Sequence, residues 1–208
     1  MDVRTKQGGG TKQGGGTKQD IETRQGIDWE AALELWRDTR APDGARTEII
    51  DGLVTVSPLR PARHAFMAGR VVRHLCEVLP EDWGAYQTLA VTIPARLGLY
   101  VPDLAVAPEE ALNASADHVP ASALSLVMEI TGPGPARHDR VNKMTGYARA
   151  GVPLYLLVDT CRDCGPSFTL YGKPEDGGYR VLQTARLGED IQVPAPFHAT
   201  IRTGDFPT

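Results

Sequence analysis

The sequence predicts a domain of the α/β or α+β class, in which a mixed β-sheet is flanked by helices. Residues 124–130 and 154–158 are short, almost wholly apolar runs, and a helical pattern at 139–150 separates them. Strand, helix and strand in this order are typical of a right-handed crossover between parallel strands. An Asp51-Gly52 pair between two β-rich runs is a strong hairpin signal and adds antiparallel strands.

The length and composition are those of one globular domain with a tail. The chain has 208 residues, of which 41% are hydrophobic, and this is enough for a packed core. Residues 1–26 contain the hexapeptide Thr-Lys-Gln-Gly-Gly-Gly twice, so we expect a disordered Gly-rich tail. We interpret it as a solvated linker, with a weak phosphate-contacting tail or a mis-assigned start as alternatives. Residues 27–208 form the predicted domain.

The first half of the domain is predicted to contain two helices around the hairpin. Asp28 is placed to cap a short amphipathic helix that ends before the Pro-Asp-Gly at 42–44. A second helix is expected over about residues 62–79, and Pro80 ends it. Its apolar stripe consists of Met67, Val71, Leu75 and Leu79.

The second half is predicted to supply most of the sheet. Residues 85–93 and 100–106 are predicted strands, separated by a turn at 94–98. The helix at 139–150 has a core stripe, with Gly151 as its C-terminal cap. That stripe consists of Val141, Met144 and Ala148. Residues 167–172 and 179–183 are predicted to form a closing hairpin.

Charge and composition exclude several classes of function. The net charge is −4, and residues 1–26 hold five basic and three acidic side chains, which leaves 17 basic and 23 acidic in the domain. This excludes a fold that grips nucleic acid by charge alone. No apolar run approaches the ~20 residues of a membrane span, and no signal segment is present, so we expect a cytoplasmic protein without membrane contact. The Cys161 and Cys164 pair is interpreted as an ordinary reduced turn.

Three acidic residues lie where a core is expected. Asp103 falls within an apolar run, and Glu129 falls within the most apolar strand, on the face that Val127 shares. Glu48 precedes two isoleucines in the first hairpin strand. One interpretation is that each acid ends a strand and is exposed or paired with an arginine. If they converge instead, their mutual repulsion raises their pKa values unless a cation such as a divalent metal neutralises them.

Lys143 is the candidate fourth member of this group. It lies on the flank of the apolar stripe of its helix, near Tyr147, so its long side chain could reach the sheet edge. Asp139, one turn earlier, is placed to pair with it at i,i+4. The alternative is a solvated lysine on an exposed helix face.

Together these residues resemble a known family. The positions that carry the resemblance are Glu48, Asp51-Gly52, Ser57-Pro58, His64, Pro102-Asp103, residues 129–133, Asp139, Lys143, Tyr147, residues 150–155 and residues 158–159. Their order and spacing resemble the bacterial Uma-two group of "putative restriction endonucleases", within the PD-(D/E)xK nuclease superfamily. The similarity runs from about residue 28 to residue 183 and leaves the tail outside.

The resemblance implies a restriction-endonuclease-like mixed sheet flanked by helices, with a Mg²⁺ or Mn²⁺ site that hydrolyses phosphodiester bonds. Asp103 and Glu129 match the two acidic elements of the superfamily motif. The Ile130 carbonyl, and Glu48 directly or through water, are the further metal ligands that it implies.

The lysine of the superfamily motif is displaced in this sequence. Its usual position, two residues after Glu129, holds Thr131. The resemblance implies that Lys143 replaces it as the residue that orients the attacking water or stabilises the transition state. Gly132 stands where the group commonly has serine, which affects a polar contact but not the metal ligands.

The function that the resemblance implies is that of a Mg²⁺-dependent endonuclease acting on DNA. The alternative is a catalytically silent module of the same fold that binds nucleic acid or a protein partner. His64 matches a recurrent position of the group. Arg137, Asp139 and Arg140 are weaker candidates for substrate contacts, with a solvated first helical turn as the alternative. A homodimer would suit double-strand cutting.

Overall fold

The computed structural model describes residues 28–114, 117–131, 137–160 and 166–206. The predicted disordered tail, Gly132 and the Cys161 and Cys164 pair lie outside these ranges. Within them the helices are α1 (Trp29–Asp38), α2 (Ala62–Cys76) and α3 (Arg137–Arg149). The strands are β1 (Arg46–Ile50), β2 (Leu53–Ser57), β3 (Trp83–Tyr86), β4 (Val91–Ile93), β5 (Gly98–Tyr100), β6 (Leu104–Pro108), β7 (Val119–Pro120), β8 (Leu126–Thr131), β9 (Leu154–Asp159), β10 (Ser167–Glu175), β11 (Gly178–Arg186), β12 (Ile191–Val193) and β13 (Ala199–Ile201). None of these helices is long and apolar enough to cross a membrane.

The strands form two main sheets and a short hairpin. The larger sheet has the order β11-β10-β9-β8-β6-β3, and the smaller one has the order β2-β1-β5-β4-β7. Strands β8 and β9 are parallel and α3 connects them, which confirms the predicted crossover. The other neighbours in the larger sheet are antiparallel. The predicted class, a mixed sheet flanked by helices, is therefore confirmed, although the strands divide between two sheets.

The larger sheet separates two apolar layers. On one face, Met128 and Ile130 of β8 pack under Met67 and Val71 of α2. On the other face, Val127 belongs to a layer that contains residues of α3 and of the smaller sheet. Because side chains alternate along a strand, Glu129 lies on the same face as Val127, as the sequence predicts. This face is where the two sheets and α3 meet.

Two local predictions about the N-terminal part are confirmed. The Asp28 carboxylate accepts a hydrogen bond from the Ala31 amide at 2.9 Å, which caps α1. Asp51 and Gly52 have φ angles of +48° and +82°. Two consecutive positive φ angles define the two-residue turn that best fits the twist of a hairpin, and this turn joins β1 to β2.

Two predicted strands are wrong in the same way. Residues 85–93 form parts of β3 and β4, which belong to different sheets, and residues 100–106 divide between β5 and β6. In the second case Pro102 has no amide hydrogen for a strand ladder, and the chain crosses there from the smaller to the larger sheet. Asp103 therefore lies at the entrance of β6 and not inside a strand.

The helix predictions also need two corrections. Helix α2 ends at Cys76, three residues before the predicted end. Val141, predicted in the core stripe of α3, is 56% exposed. Ala148 of the predicted stripe is buried, together with Lys143 and Tyr147, which are one turn apart. Positions 141 and 143 are about 200° apart on a helix, so burial of Lys143 turns Val141 outward.

Candidate active site

Glu48 is the buried centre of a small network of charged groups. Its carboxylate is 2% exposed. Its Oε1 atom accepts hydrogen bonds at 2.7 Å from the Val101 amide and at 2.7 Å from the Lys143 ammonium. Its Oε2 atom lies 3.4 Å from Nε of Arg46. Arg46 is two residues earlier on β1, so both side chains lie on one face of the strand.

Asp103 occupies the point where β6 and β8 separate. The register pairs Leu104 with Met128, so the next pair along the ladder would be Asp103 and Glu129. There the Asp103 side chain substitutes for a backbone partner, since its Oδ2 atom accepts the Ile130 amide hydrogen at 2.7 Å. Two acids from adjacent strands are thereby held on one face of the sheet.

The segment that crosses between the sheets is anchored by side chains of this site. The Val101 amide donates to Glu48, and the Val101 carbonyl accepts from the Arg46 guanidinium at 2.6 Å. Arg46 also lies 3.7 Å from Oδ1 of Asp103. Buried backbone groups need hydrogen-bond partners, and here the charged residues of the site supply them. The crossing of the chain and the assembly of the acids are therefore one structural feature.

Lys143 connects two of the acids. Its ammonium lies 2.7 Å from Oε1 of Glu48 and 3.4 Å from Oε1 of Glu129. The Tyr147 hydroxyl donates to the same Glu129 oxygen at 3.3 Å. The Lys143 ammonium also lies 5.8 Å from the centre of the Tyr100 ring, a distance at which a cation is attracted to the ring face. Glu48, Glu129 and Lys143 are thus in direct contact.

The surroundings shift the pKa values of Glu48 and Glu129 in opposite directions. Complete burial raises the pKa of Glu129; the Lys143 charge opposes this rise and the nearby Asp103 charge adds to it. Burial acts in the same sense on Glu48, but the charges of Lys143 and Arg46, with the hydrogen bonds described above, outweigh it and lower the pKa of Glu48. The charged form of Glu48 is therefore favoured beside the lysine, whereas burial favours the neutral form of Glu129.

The donor chemistry of the site fits a hard divalent cation. Carboxylate oxygens are the ligands that Mg²⁺ and Mn²⁺ prefer, and Asp103 and Glu129 stand at neighbouring positions where β6 and β8 separate. Among the described residues, no three acidic, histidine or cysteine side chains are grouped closely enough to form a metal cluster. Lys143 and Arg46 lie between the acids and balance their charge in this arrangement.

A cleft of about 440 Å³ opens beside the acids. Asp103 lies in its wall and is the acid that the cleft shares with the buried network. Arg60 is also in the wall, with Nε 3.5 Å from Oδ1 of Asp103. The rest of the lining is mostly apolar and includes Pro58, Leu59, Ala65, Ala68, Val101 and Pro102. The cleft can therefore admit a substrate to the Asp103 side of the network.

His64 lines the same cleft from α2. It is buried, and its Nδ1 atom has no hydrogen-bond partner among the described residues. Burial lowers the pKa of His64; Asp103 opposes the effect and neighbouring arginines, Arg60 first among them, add to it. The imidazole is consequently neutral at neutral pH and presents an uncommitted ring nitrogen near Asp103.

For some predicted site residues the described structure does not test the prediction. The backbones of Arg137, Asp139 and Arg140 form the first turn of α3, but their side chains lie outside the described part of the structure. Pairing of Asp139 with Lys143 therefore remains a prediction. The Ile130 amide is committed to Asp103, and ligation by the Ile130 carbonyl also remains a prediction.

Sequence reasoning missed three residues of the site: Arg46 and Arg60, which lie beside the acids, and Tyr100, whose ring faces Lys143. Arg46 could have been found, because it lies two positions before Glu48 in a predicted strand and so shares its face. Arg60 and Tyr100 carry no such signal, since Arg60 lies in a proline-rich loop and Tyr100 has an ordinary strand position. Their contacts depend on the packing of α2 and of the two sheets.

The sheet topology and the acids facing a helix-borne lysine define a nuclease-like α/β fold. A family model described as "Putative restriction endonuclease" (Uma2) matches residues 29–203, and the chain belongs to this family. The fold is similar to the crystal structure of a putative nuclease belonging to DUF820 from Anabaena variabilis, with a TM-score of 0.64 and 16% identity over 86% of this chain and 97% of that chain. No curated protein sequence matches the chain. The predicted family and fold are thereby confirmed.

Proposed function

We propose that this protein is a divalent-metal-dependent endonuclease that hydrolyses phosphodiester bonds of DNA. The observation that carries the proposal is the contact of the Lys143 ammonium with both Glu48 and Glu129, beside Asp103 at the entrance of β6. A buried lysine held between carboxylates next to an open cleft is the arrangement expected where a negatively charged transition state is stabilised. Membership in the family supports the same activity.

Asp103 and Glu129 are the proposed principal ligands of Mg²⁺ or Mn²⁺, with Glu48 and the Ile130 carbonyl as further ligands. When bound, such an ion supplies a water of lowered pKa and shields the charge that develops on the scissile phosphate. The Tyr147 hydroxyl and the Lys143 ammonium both contact Oε1 of Glu129, and so they fix the orientation of this carboxylate.

Lys143 is the proposed catalytic cation. Glu48 holds its ammonium at 2.7 Å, but an ammonium has three donor hydrogens. Those not used by Glu48 can orient the attacking water or donate to a phosphate oxygen. Because the ammonium is buried in surroundings of low polarity, each such interaction is stronger than it would be in water.

The substrate is proposed to enter by the cleft. Arg60 is 35% exposed there and close to Asp103, so its guanidinium can contact a phosphate beside the site. The neutral His64 can add a hydrogen bond from the same wall. Arg137, Asp139 and Arg140 are proposed as further contacts, because the start of a helix favours phosphate groups through its free amides.

A second candidate function is a catalytically silent module that binds nucleic acid or a protein. The observation that favours it is the internal charge balance of the site: Arg46 and Lys143 already pair with the acids. A site that is neutralised by its own side chains does not require a metal ion for stability.

Nicking of a supercoiled plasmid separates the two functions. We expect the full chain to produce open-circular and linear DNA with Mg²⁺ or Mn²⁺ and neither product with EDTA. Lys143→Ala should reduce the rate by about 10²- to 10³-fold, whereas Arg180→Ala on an exposed strand should retain it. Circular dichroism establishes that each variant is folded. Equal cleavage in EDTA, or full activity of folded Lys143→Ala, would contradict the proposal.

We further propose that the protein acts in the cytoplasm and as a homodimer. A two-fold dimer would present two active sites to the two strands of a DNA duplex. Sedimentation velocity should give a mass near twice the 22.5 kDa of the chain. A single species at the monomer mass, with and without DNA, would contradict the dimer.

A further inference from the structure

Helix α2 carries an exposed face of unusual charge. The whole chain has 26 acidic and 22 basic residues, yet no aspartate or glutamate occurs between Ala62 and Cys76. Arg63 and Arg73 are exposed on this helix, and Arg70 is partly exposed. The first acid that follows is Glu77, the residue after the helix ends. An acidic protein thus concentrates positive charge on a single helix.

The arginines form a stripe on the helix. Residues 63, 66, 70 and 73 recur at intervals of three or four, so they lie on one side, next to the face that buries Met67, Val71 and Leu75. The stripe is about 15 Å long at 1.5 Å per residue. Phe66 in its middle is 47% exposed, and the Arg70 guanidinium lies 5.0 Å from the centre of its ring. This cation–π contact orients Arg70 on the surface.

The chain just before the stripe reaches the cleft of the candidate active site. Arg60 precedes the helix, lines the cleft and lies 3.5 Å from Asp103. His64, Ala65 and Ala68 line the same cleft from a different side of α2 than the stripe. Arg60, three residues before Arg63, is therefore the basic residue that links the start of the stripe to the acid in the cleft wall.

We propose that this face, comprising Arg63, Phe66, Arg70 and Arg73, binds the phosphate backbone of double-stranded DNA. Regularly spaced arginines fit a polymer with regularly spaced negative charges, and 15 Å corresponds to about four base pairs at 3.4 Å each. The net charge of −4 disfavours general attraction to DNA, so a local basic surface must supply it. The inference rests on the proposed function and extends it to the mode of substrate binding.

Salt-dependent DNA binding tests this surface without cleavage. The full chain and its variants are titrated in EDTA into a fluorescent 20-base-pair duplex at 50 to 200 mM NaCl, with anisotropy as the readout. The variant Arg70→Gln with Arg73→Gln removes two charges from the face. Arg180→Gln with Arg186→Gln, on the edge strand β11, is the charge-matched control. Each lost phosphate contact should reduce the slope of log K against log salt by about 0.9.

We expect the helix variant to lower the slope by about 1.8, so that the wild-type affinity falls ~12-fold more than that of the variant over this fourfold range of salt. The control variant should keep the wild-type slope. Equal slopes for the wild type and the helix variant, or equal losses in both variants, would overturn the inference. A lower slope without metal-dependent cleavage would support the surface while contradicting the nuclease; cleavage with an unchanged slope would do the reverse.

Discussion

The Lys143 ammonium and the Glu48 carboxylate lie 2.7 Å apart although 95 positions separate them in the chain. Glu48 comes from the first hairpin and Lys143 from the helix of the parallel crossover. Both are nearly inaccessible to solvent, so the cost of burying each charge is offset by the other charge and by the groups around them. This pair joins the smaller sheet to α3 and places one positive and one negative charge in the candidate active site.

Loss of this pair should strongly destabilise the fold. Lys143→Met keeps most of the side-chain volume but leaves Glu48 and Glu129 buried without their cation. We expect a loss of about 3–5 kcal/mol in the free energy of unfolding, measured with urea at pH 7. Addition of Glu48→Gln to this variant should recover part of the loss, since it removes one unpaired charge.

The exposed ion pair of Arg180 with Glu175 provides the control for this measurement. Its partners are 68% and 69% exposed, so Arg180→Gln should cost less than about 1 kcal/mol. Comparable losses of unfolding free energy in Lys143→Met and Arg180→Gln would show that the buried lysine pair contributes no more to stability than an exposed ion pair.

The two glutamates should affect the pH dependence of stability in opposite directions. The pKa of Glu48 is lowered from its ordinary value of 4.5, so its stabilising contribution is complete above about pH 4.5 and is lost as the pH falls through the folded-state pKa. The pKa of Glu129 is raised, so ionisation of Glu129 weakens the fold as the pH rises above 4.5.

Thermal melting from pH 3 to pH 8 measures both effects. The deficit of Glu48→Gln relative to the wild type should be largest at neutral pH and shrink in acid. The difference between Glu129→Gln and the wild type should move in favour of the variant as the pH rises. If the melting temperatures of the wild type and both variants depend on pH in the same way, the lowered pKa of Glu48 and the raised pKa of Glu129 are contradicted.

Asp103 has a structural and a proposed chemical role that substitution can separate. Asp103→Asn retains an oxygen that can accept the Ile130 amide hydrogen, so the fold should remain close to wild-type stability. Asp103→Ala leaves that amide without its acceptor and should cost about 1–3 kcal/mol. Both variants should lose binding of Mn²⁺ in isothermal titration calorimetry, since both lack the negative charge. Wild-type Mn²⁺ affinity in Asp103→Asn would remove Asp103 from the ligand set.

Tyr147 should tune the ionisation of Glu129. Tyr147→Phe removes the hydroxyl that donates to Oε1 of Glu129 but keeps the ring contacts with Tyr100 and Tyr155. Loss of a donor to the charged carboxylate raises its pKa, so the acidic limb of the pH–rate profile for plasmid nicking should move to higher pH.

Tyr171→Phe is the matched variant for this experiment, because its ring contacts Tyr155 and Tyr179 in the same aromatic cluster. It should leave the pH–rate profile unchanged. Equal shifts in both variants would indicate a general effect of the tyrosine cluster and not the specific hydrogen bond to Glu129.

The candidate site residues could be predicted from the sequence because a charged residue within an apolar strand departs from the local pattern. Glu129 stands out in its strand, and the period of two places it beside Val127. Which of the site residues contact one another could not be predicted from local patterns. Asp139, one helical turn from Lys143, is the partner that the local pattern indicates, and its side chain lies outside the described structure. The contacts of the lysine with Glu48 and Glu129 depend on segments that are distant in the chain.

The sequence by itself determined the class of fold, the Asp51-Gly52 hairpin and the parallel crossover, because hydrophobic period and turn chemistry act over a few residues. Only the tertiary structure decided that the chain changes sheets at Pro102, that α3 turns Lys143 inward and Val141 outward, and that Arg46 and Arg60 approach Asp103. These outcomes depend on contacts between distant segments of the chain. A buried charge is costly unless it is paired, and local patterns do not specify which residue becomes its partner.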